Sequence, residues 1–176
     1  MPESLVISAP FLLVIAPLIG AAALLLPTVK ADATVRIWTM VSTLLTFLIS
    51  CVAAGQFDWS APGMQMNEHA LPWIEAFGLR FGFGVDGMSM WLVLLTTFLM
   101  PLVVLGSWSA VSSRVKEFHI WLLLLQAAML GTFVATDLIF FYICFEFTLI
   151  PLFFLIGVFG SHHRLNAARV LLLHTF

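Results

Sequence analysis

The chain has 176 residues, of which 62% are hydrophobic and only 9% charged, with a formal net charge of −2. A soluble domain usually carries about a quarter charged residues, and the mean hydropathy here is +1.11. Such a balance rules out an ordinary soluble domain and leaves no basic surface for nucleic acid. The two cysteines, Cys51 and Cys144, lie far apart in apolar runs, which predicts buried thiols rather than a disulfide framework or a zinc site.

A membrane helix needs about 20 mostly apolar residues to cross a hydrocarbon core of about 30 Å. Residues 5–26, stopped by Pro27, meet that requirement, and so do residues 37–55. Glu3 and the absence of Lys or Arg ahead of the first run argue against a cleaved signal peptide. Residues 56–83 form the longest polar stretch, and Trp59, Pro72 and Trp73 suit a segment lying at the membrane interface. A third span covers 86–108, with Asp86 of "FGVDGMS" placed to cap its helix. Inside it, Pro101 frees the carbonyl of Thr97, which the Thr96 and Thr97 hydroxyls can satisfy. From Phe118 to Gly160 the only charges are Asp137 and Glu146. As one helix that stretch would be about 64 Å long, twice the membrane. A turn at Asp137 divides it into spans 118–136 and 138–160, and a sixth helix opens near Asn166. The expected fold class is all-α: a polytopic transmembrane helix bundle with five full spans and the start of a sixth.

The basic residues support this count. Lys30 and Arg36 fall between spans one and two, Arg114 and Lys116 between three and four, and Arg164 and Arg169 after five. Only Arg80 lies in the opposite loop, with Asp58, Glu68 and Glu75. Alternation of this kind places the N-terminus and 56–83 outside, and 109–117 and 161–169 inside. It holds only if the chain turns at Asp137.

Glu146, in "FEFTLIPLFF", has no Asp, Glu, Lys or Arg in the eight positions before it or the seventeen after it. It lies about 13 Å from Asp137 by helical rise, close to the bilayer midplane. An acid at that depth costs about 3 kcal/mol or more, and such residues mark ion or proton paths or pair with another group. Tyr142 is one turn earlier, on the same face, and Pro151 frees the carbonyl of Phe147. A protonated glutamate bonded to a neighbouring helix is the purely structural alternative. Gln126 could face the helix of Glu146, as a second polar group on a path or as an interhelical hydrogen bond. His119, His162 and His163 lie near the inner edge and His69 in the outer loop, so only His174 could reach the interior. No facing pair exists for a bis-histidine haem. "GFG" at 82–84 lacks the spacing of a dinucleotide fingerprint.

"FGVDGMSMWLVLLTTFLMPLVVLGSW", "ATDLIFFYICFEFTLIPLFFLIGVFG" and "RLNAARVLLLHTF" resemble the third, fourth-to-fifth and sixth helices of the antiporter-like subunit M of NADH:quinone oxidoreductase, chain 4 in mitochondria. Glu-x-x-Leu-Ile-Pro is the most discriminating piece. The resemblance implies that residues 1–176 are one transmembrane domain, an N-terminal piece of a bundle of about fourteen helices that carries a proton path. It sets Glu146 on the fifth-helix glutamate, which pairs with a lysine of the seventh helix. Tyr142 and Gln126 stand beside it as secondary candidates; relatives often have glutamate at the position of Gln126 and tyrosine at that of His174. The implied role is proton translocation coupled to quinone reduction. No cofactor or metal is expected on this chain, since NADH, FMN, iron–sulfur clusters and quinone belong to other subunits. The implied partners are other membrane-arm subunits, the lipid bilayer, and a segment or chain supplying the missing helices. A bacterial cytoplasmic membrane is expected, with the mitochondrial inner membrane as the alternative. A subunit of a multi-subunit cation/proton antiporter and a non-conducting structural fragment are the rival readings.

Overall fold

The computed structural model describes residues 8–27, 31–66, 70–74, 79–160 and 164–175. Glu3, Lys30, Glu68, His69, Glu75, His162 and His163 lie outside the described residues. The helices are α1 (Ala9–Leu25), α2 (Asp32–Gln56), α3 (Gly87–Ser107), α4 (Val115–Val134), α5 (Leu138–Phe159) and α6 (Arg164–Thr175). Four of them, α2 to α5, are long and apolar enough to cross a membrane, and α1 is a shorter apolar helix.

Local chemistry sets the helix starts. Asp86 accepts from Ser89 N at 2.7 Å while Ser89 Oγ accepts from Asp86 N at 2.8 Å, a reciprocal capping box that opens α3. Asp137 does the same service for α5, accepting from Ile139 N at 2.9 Å and Phe140 N at 3.3 Å. The chain does turn there.

α2 shows how a membrane bundle inverts the usual pattern. Its buried positions are Val35, Thr39, Ser42, Thr43, Thr46, Ser50 and Ala53, and it exposes Ile37, Val41, Leu44, Leu45, Leu48 and Val52. Small hydroxylated residues let helices approach closely, and lipid accepts the large apolar ones. Four of these five hydroxyls donate within the helix: Thr39 to Val35 O and Thr46 to Ser42 O, both at 2.9 Å, Thr43 to Met40 O at 3.0 Å and Ser50 to Phe47 O at 2.7 Å. Cys51 shares the outward face and is exposed, while Cys144 is half-buried. The expectation of two buried thiols therefore fails at Cys51, because the hydroxyl stripe decides which face of α2 points inward.

α4 is the most enclosed of the spanning helices and packs against α1, α2, α3 and α5. One core cluster joins Leu13, Ala53, Met90, Val93, Leu130 and Val134; another joins Ala21, Leu24, Val35, Val115 and Leu123. Trp38 Nε1 donates to Gly20 O at 3.1 Å, clamping α2 to α1. Arg36 Nη2 reaches Val111 O and Lys116 Nζ reaches Leu26 O, both at 3.0 Å. These contacts gather the α1–α2 and α3–α4 turns at one basic end of the bundle.

The opposite end holds a feature absent from the sequence reading. Strands β1 (Ala70–Ile74) and β2 (Leu79–Gly82) form an antiparallel hairpin, with Leu71 opposite Phe81 and an irregularity between Pro72 and Ile74. Two strands this short are marginal alone. They are anchored by bridges from Phe83 to Ala135 and from Gln65 to Val85. Gly84 N also donates to Val134 O at 2.8 Å. At the same end, Asp58 Oδ1 accepts from the Ser60 N–H and hydroxyl, which hold its carboxyl below the usual carboxylate range.

Candidate functional site

α5 runs 22 residues from its Asp137 cap, and Glu146 is the one charged side chain between Leu138 and Phe159. Glu146 is half-buried, and its Oε2 is enclosed with no hydrogen-bond partner among the described residues. Tyr142, one turn earlier and exposed, interacts through its hydroxyl with the Glu146 carboxyl. A phenol can both donate and accept a hydrogen bond.

α6 covers one end of this face. A Cβ on Gly157 would lie 3.6 Å from the Ala168 Cβ, so α6 docks against α5 at that glycine. Gly157 is eleven residues, three helical turns, beyond Glu146 and therefore on nearly the same face. Glu146 lies on the same side of α5 as that contact, about 16 Å from it by helical rise. Among the described residues, no Lys or Arg forms an ion pair with it.

Gln126 is placed elsewhere. Gly131 meets Cys144 and Trp121 stacks on Phe154 at 4.3 Å, so these two positions define the side of α4 that faces α5. Gln126 lies roughly 140° around the helix from both. It sits instead between Leu122, clustered with Met100 and Val104, and Leu130, clustered with Met90 and Val93. That register sets it level with Thr96 and Thr97 of α3. The expectation that Gln126 could face the helix of Glu146 is corrected accordingly. Gln126 is 0% exposed, and neither polar atom of its amide has a partner among the described residues. An enclosed, unpaired amide costs about 1–3 kcal/mol. Gln126→Leu is therefore expected to raise the stability of the assembled protein by about that amount. Thermal unfolding of the variant checks this; a destabilised protein would reveal an amide partner.

Three further polar groups were misjudged. Thr97 does not turn to the carbonyl that Pro101 frees. Its hydroxyl donates to Val93 O at 2.8 Å and lies 2.7 Å from Ser50 Oγ, joining α3 to α2. His119, expected at the inner edge, is fully buried, and His174, expected to reach the interior, is exposed. The reason is that α4 begins at Val115, so His119 falls in its second turn, inside the bundle. Its Nδ1 is 2.8 Å from Val115 O, and its Nε2 has no partner among the described residues. No group of three or more His, Cys, Asp or Glu side chains stands together among the described residues.

Comparison with known proteins places this arrangement. No protein-family model matches the sequence. The chain is 45% identical over 146 residues to NADH-quinone oxidoreductase subunit M of Rhodobacter capsulatus, covering 83% of this chain and 28% of that protein. It is 38% identical over 164 residues to NADH-ubiquinone oxidoreductase chain 4 of Arabidopsis thaliana, covering 93% and 33%. Its fold superposes on a chain of respiratory complex I from Thermus thermophilus with a TM-score of 0.76 and 28% identity, over 93% of this chain and 32% of that one. A chain of the membrane-bound sulfane sulfur reductase, an archaeal respiratory membrane complex, shares the fold at a TM-score of 0.80 and 18% identity, over 94% and 34%. The chain spans about a third of the length of the relatives it matches. It belongs to the subunit M and chain 4 family of NADH-quinone oxidoreductases, as a multi-pass membrane protein.

Proposed function

We propose that this chain forms part of a proton-translocating membrane-arm subunit, in which quinone reduction elsewhere in the complex drives protons across the bilayer. The observation that carries this reading is the half-buried Glu146 carboxyl, with its unpartnered Oε2 and with Tyr142 beside it. Glu146 is the relay group. Tyr142 is its neighbour on the path, and Gln126 is a polar residue of the bundle core. A carboxyl with no fixed cation holds a proton until a positive charge approaches and displaces it. Another segment of the subunit, or another chain, supplies that charge. Redox cofactors reside on other subunits, and this chain contributes the protein path alone. The basic end of the bundle faces the cytoplasm of a bacterium, with the mitochondrial matrix as the equivalent side in the alternative host membrane.

The test removes the chain from its host and measures NADH-driven acidification of inverted membrane vesicles. Loss of acidification, with NADH oxidation by a soluble artificial acceptor retained, is expected. Intact NADH-driven acidification with lost sodium/proton exchange would indicate an antiporter instead.

A further inference from the structure

The arginines at the basic end differ in how their donors are met. Arg164 Nη1 donates to Val158 O at 2.7 Å and Arg114 pairs with Glu117, and both side chains are exposed, so solvent meets their other N–H groups. Arg36 is half-buried. Its Nη2 donates to Val111 O at 3.0 Å, but its Nε is enclosed and has no partner among the described residues. A guanidinium keeps its protons, so that nitrogen remains a donor.

His119 offers the complement. Val115 O can only accept, so the Nδ1 that lies 2.8 Å from it carries the proton. In the neutral ring this leaves Nε2 a bare acceptor, and it too is enclosed without a partner among the described residues. The imidazole is fully buried, and the Phe118 ring packs edge to face with it at 5.4 Å.

The two residues meet at one helix crossing. Val35, beside Arg36, and Val115, one turn before His119, belong to the same buried cluster, and the charge of Arg36 acts on the imidazole. An enclosed donor on α2 therefore lies near an enclosed acceptor on α4, with no bond between them. A ligand joining them must accept from one and donate to the other. A simple anion cannot donate and a metal cation cannot accept. Water does both, and buried waters hold about two to four such bonds.

We infer that a single buried water bridges Arg36 Nε–H and His119 Nε2, fastening α2 to α4 beside the Arg36–Val111 bond. The site stands apart from the Glu146 relay. Its enclosure is complete within this chain, since neither anchor nitrogen is open to bulk solvent.

The assembled complex provides the test. A density map fine enough to show ordered water should carry an isolated peak at hydrogen-bond distance, about 2.7–3.2 Å, from both nitrogens. X-ray radiolysis supplies a second measurement, because radicals formed on a bound water oxidise the side chain beside it even where bulk solvent is shut out. His119 should be oxidised in the unaltered complex despite its burial. Arg36→Lys keeps the charge but removes the N–H at the Nε position, and should lower that oxidation severalfold. The map uses the unaltered protein, so it decides the matter should the lysine variant assemble poorly. No peak, a direct Arg36–His119 bond, another side chain in the gap, or a peak that follows chloride concentration would overturn the inference. So would an unoxidised His119, or oxidation indifferent to Arg36→Lys.

Discussion

Replacing Glu146 with glutamine should leave the complex assembled and sharply lower its proton-to-electron ratio. Glutamine matches the shape and hydrogen-bonding reach of the side chain but can neither release a proton nor answer a nearby cation. Positioned acid–base groups accelerate proton transfer about 10²–10⁴-fold, so transfer through this point should slow on the order of a hundredfold. Glu146→Asp keeps the acid and withdraws it by one methylene, and should be milder. A packing role predicts the reverse order. The glutamine would then be silent or stabilising, since it removes an ionisable group that costs about 3 kcal/mol in the bilayer. The ratio must be measured in membranes holding normal amounts of the complex. Wild-type pumping in the glutamine variant would leave Glu146 as a structural residue.

The second large effect is expected at Gly20, where α1, α2 and α4 meet. A Cβ there would overlap the Ser42 hydroxyl, and would lie 3.0 Å from the Ser42 Cβ and 3.3 Å from Leu123 Cδ1. Rotating the hydroxyl relieves the first clash but not the second, so Gly20→Ala should cost about 1–3 kcal/mol. Gly20→Val adds two methyl groups at the same crossing and should prevent assembly. The separation would also pull Gly20 O from Trp38 Nε1. Ser42→Gly removes the obstructing side chain and should restore most of the stability lost in Gly20→Ala. Thermal unfolding in detergent reads the alanine pair, and complex yield reads the valine. Full stability in Gly20→Ala would mean that the helices can shift apart without loss.

Much of the architecture is legible in the residues because its causes are short-range. A carboxylate that breaks an apolar run, Asp137, supplies an N-cap where the chain must turn, and the α5 cap forms there. Asp86 and Ser89 need only each other to open α3. Basic residues alternate between loops, and Arg36, Lys116, Arg114 and Arg164 gather at one end through the Val111, Leu26 and Val158 contacts. An unaccompanied carboxyl among phenylalanines makes Glu146 a candidate without any fold, because its insertion cost is a property of the residue and its depth. What depends on how helices rotate against one another was not legible. Gln126 and Trp121 lie on the same helix, yet one faces α3 and the other α5, and only packing chooses. His119 passes from the edge to the interior because α4 starts three residues before its apolar run. The β1–β2 pair is tied through Phe83 to Ala135, a partner far away in sequence, so no window of its own residues reveals it. Periodicity and charge act along the chain and can be read there; the orientation of a buried polar group is settled by neighbours that arrive only when the helices pack.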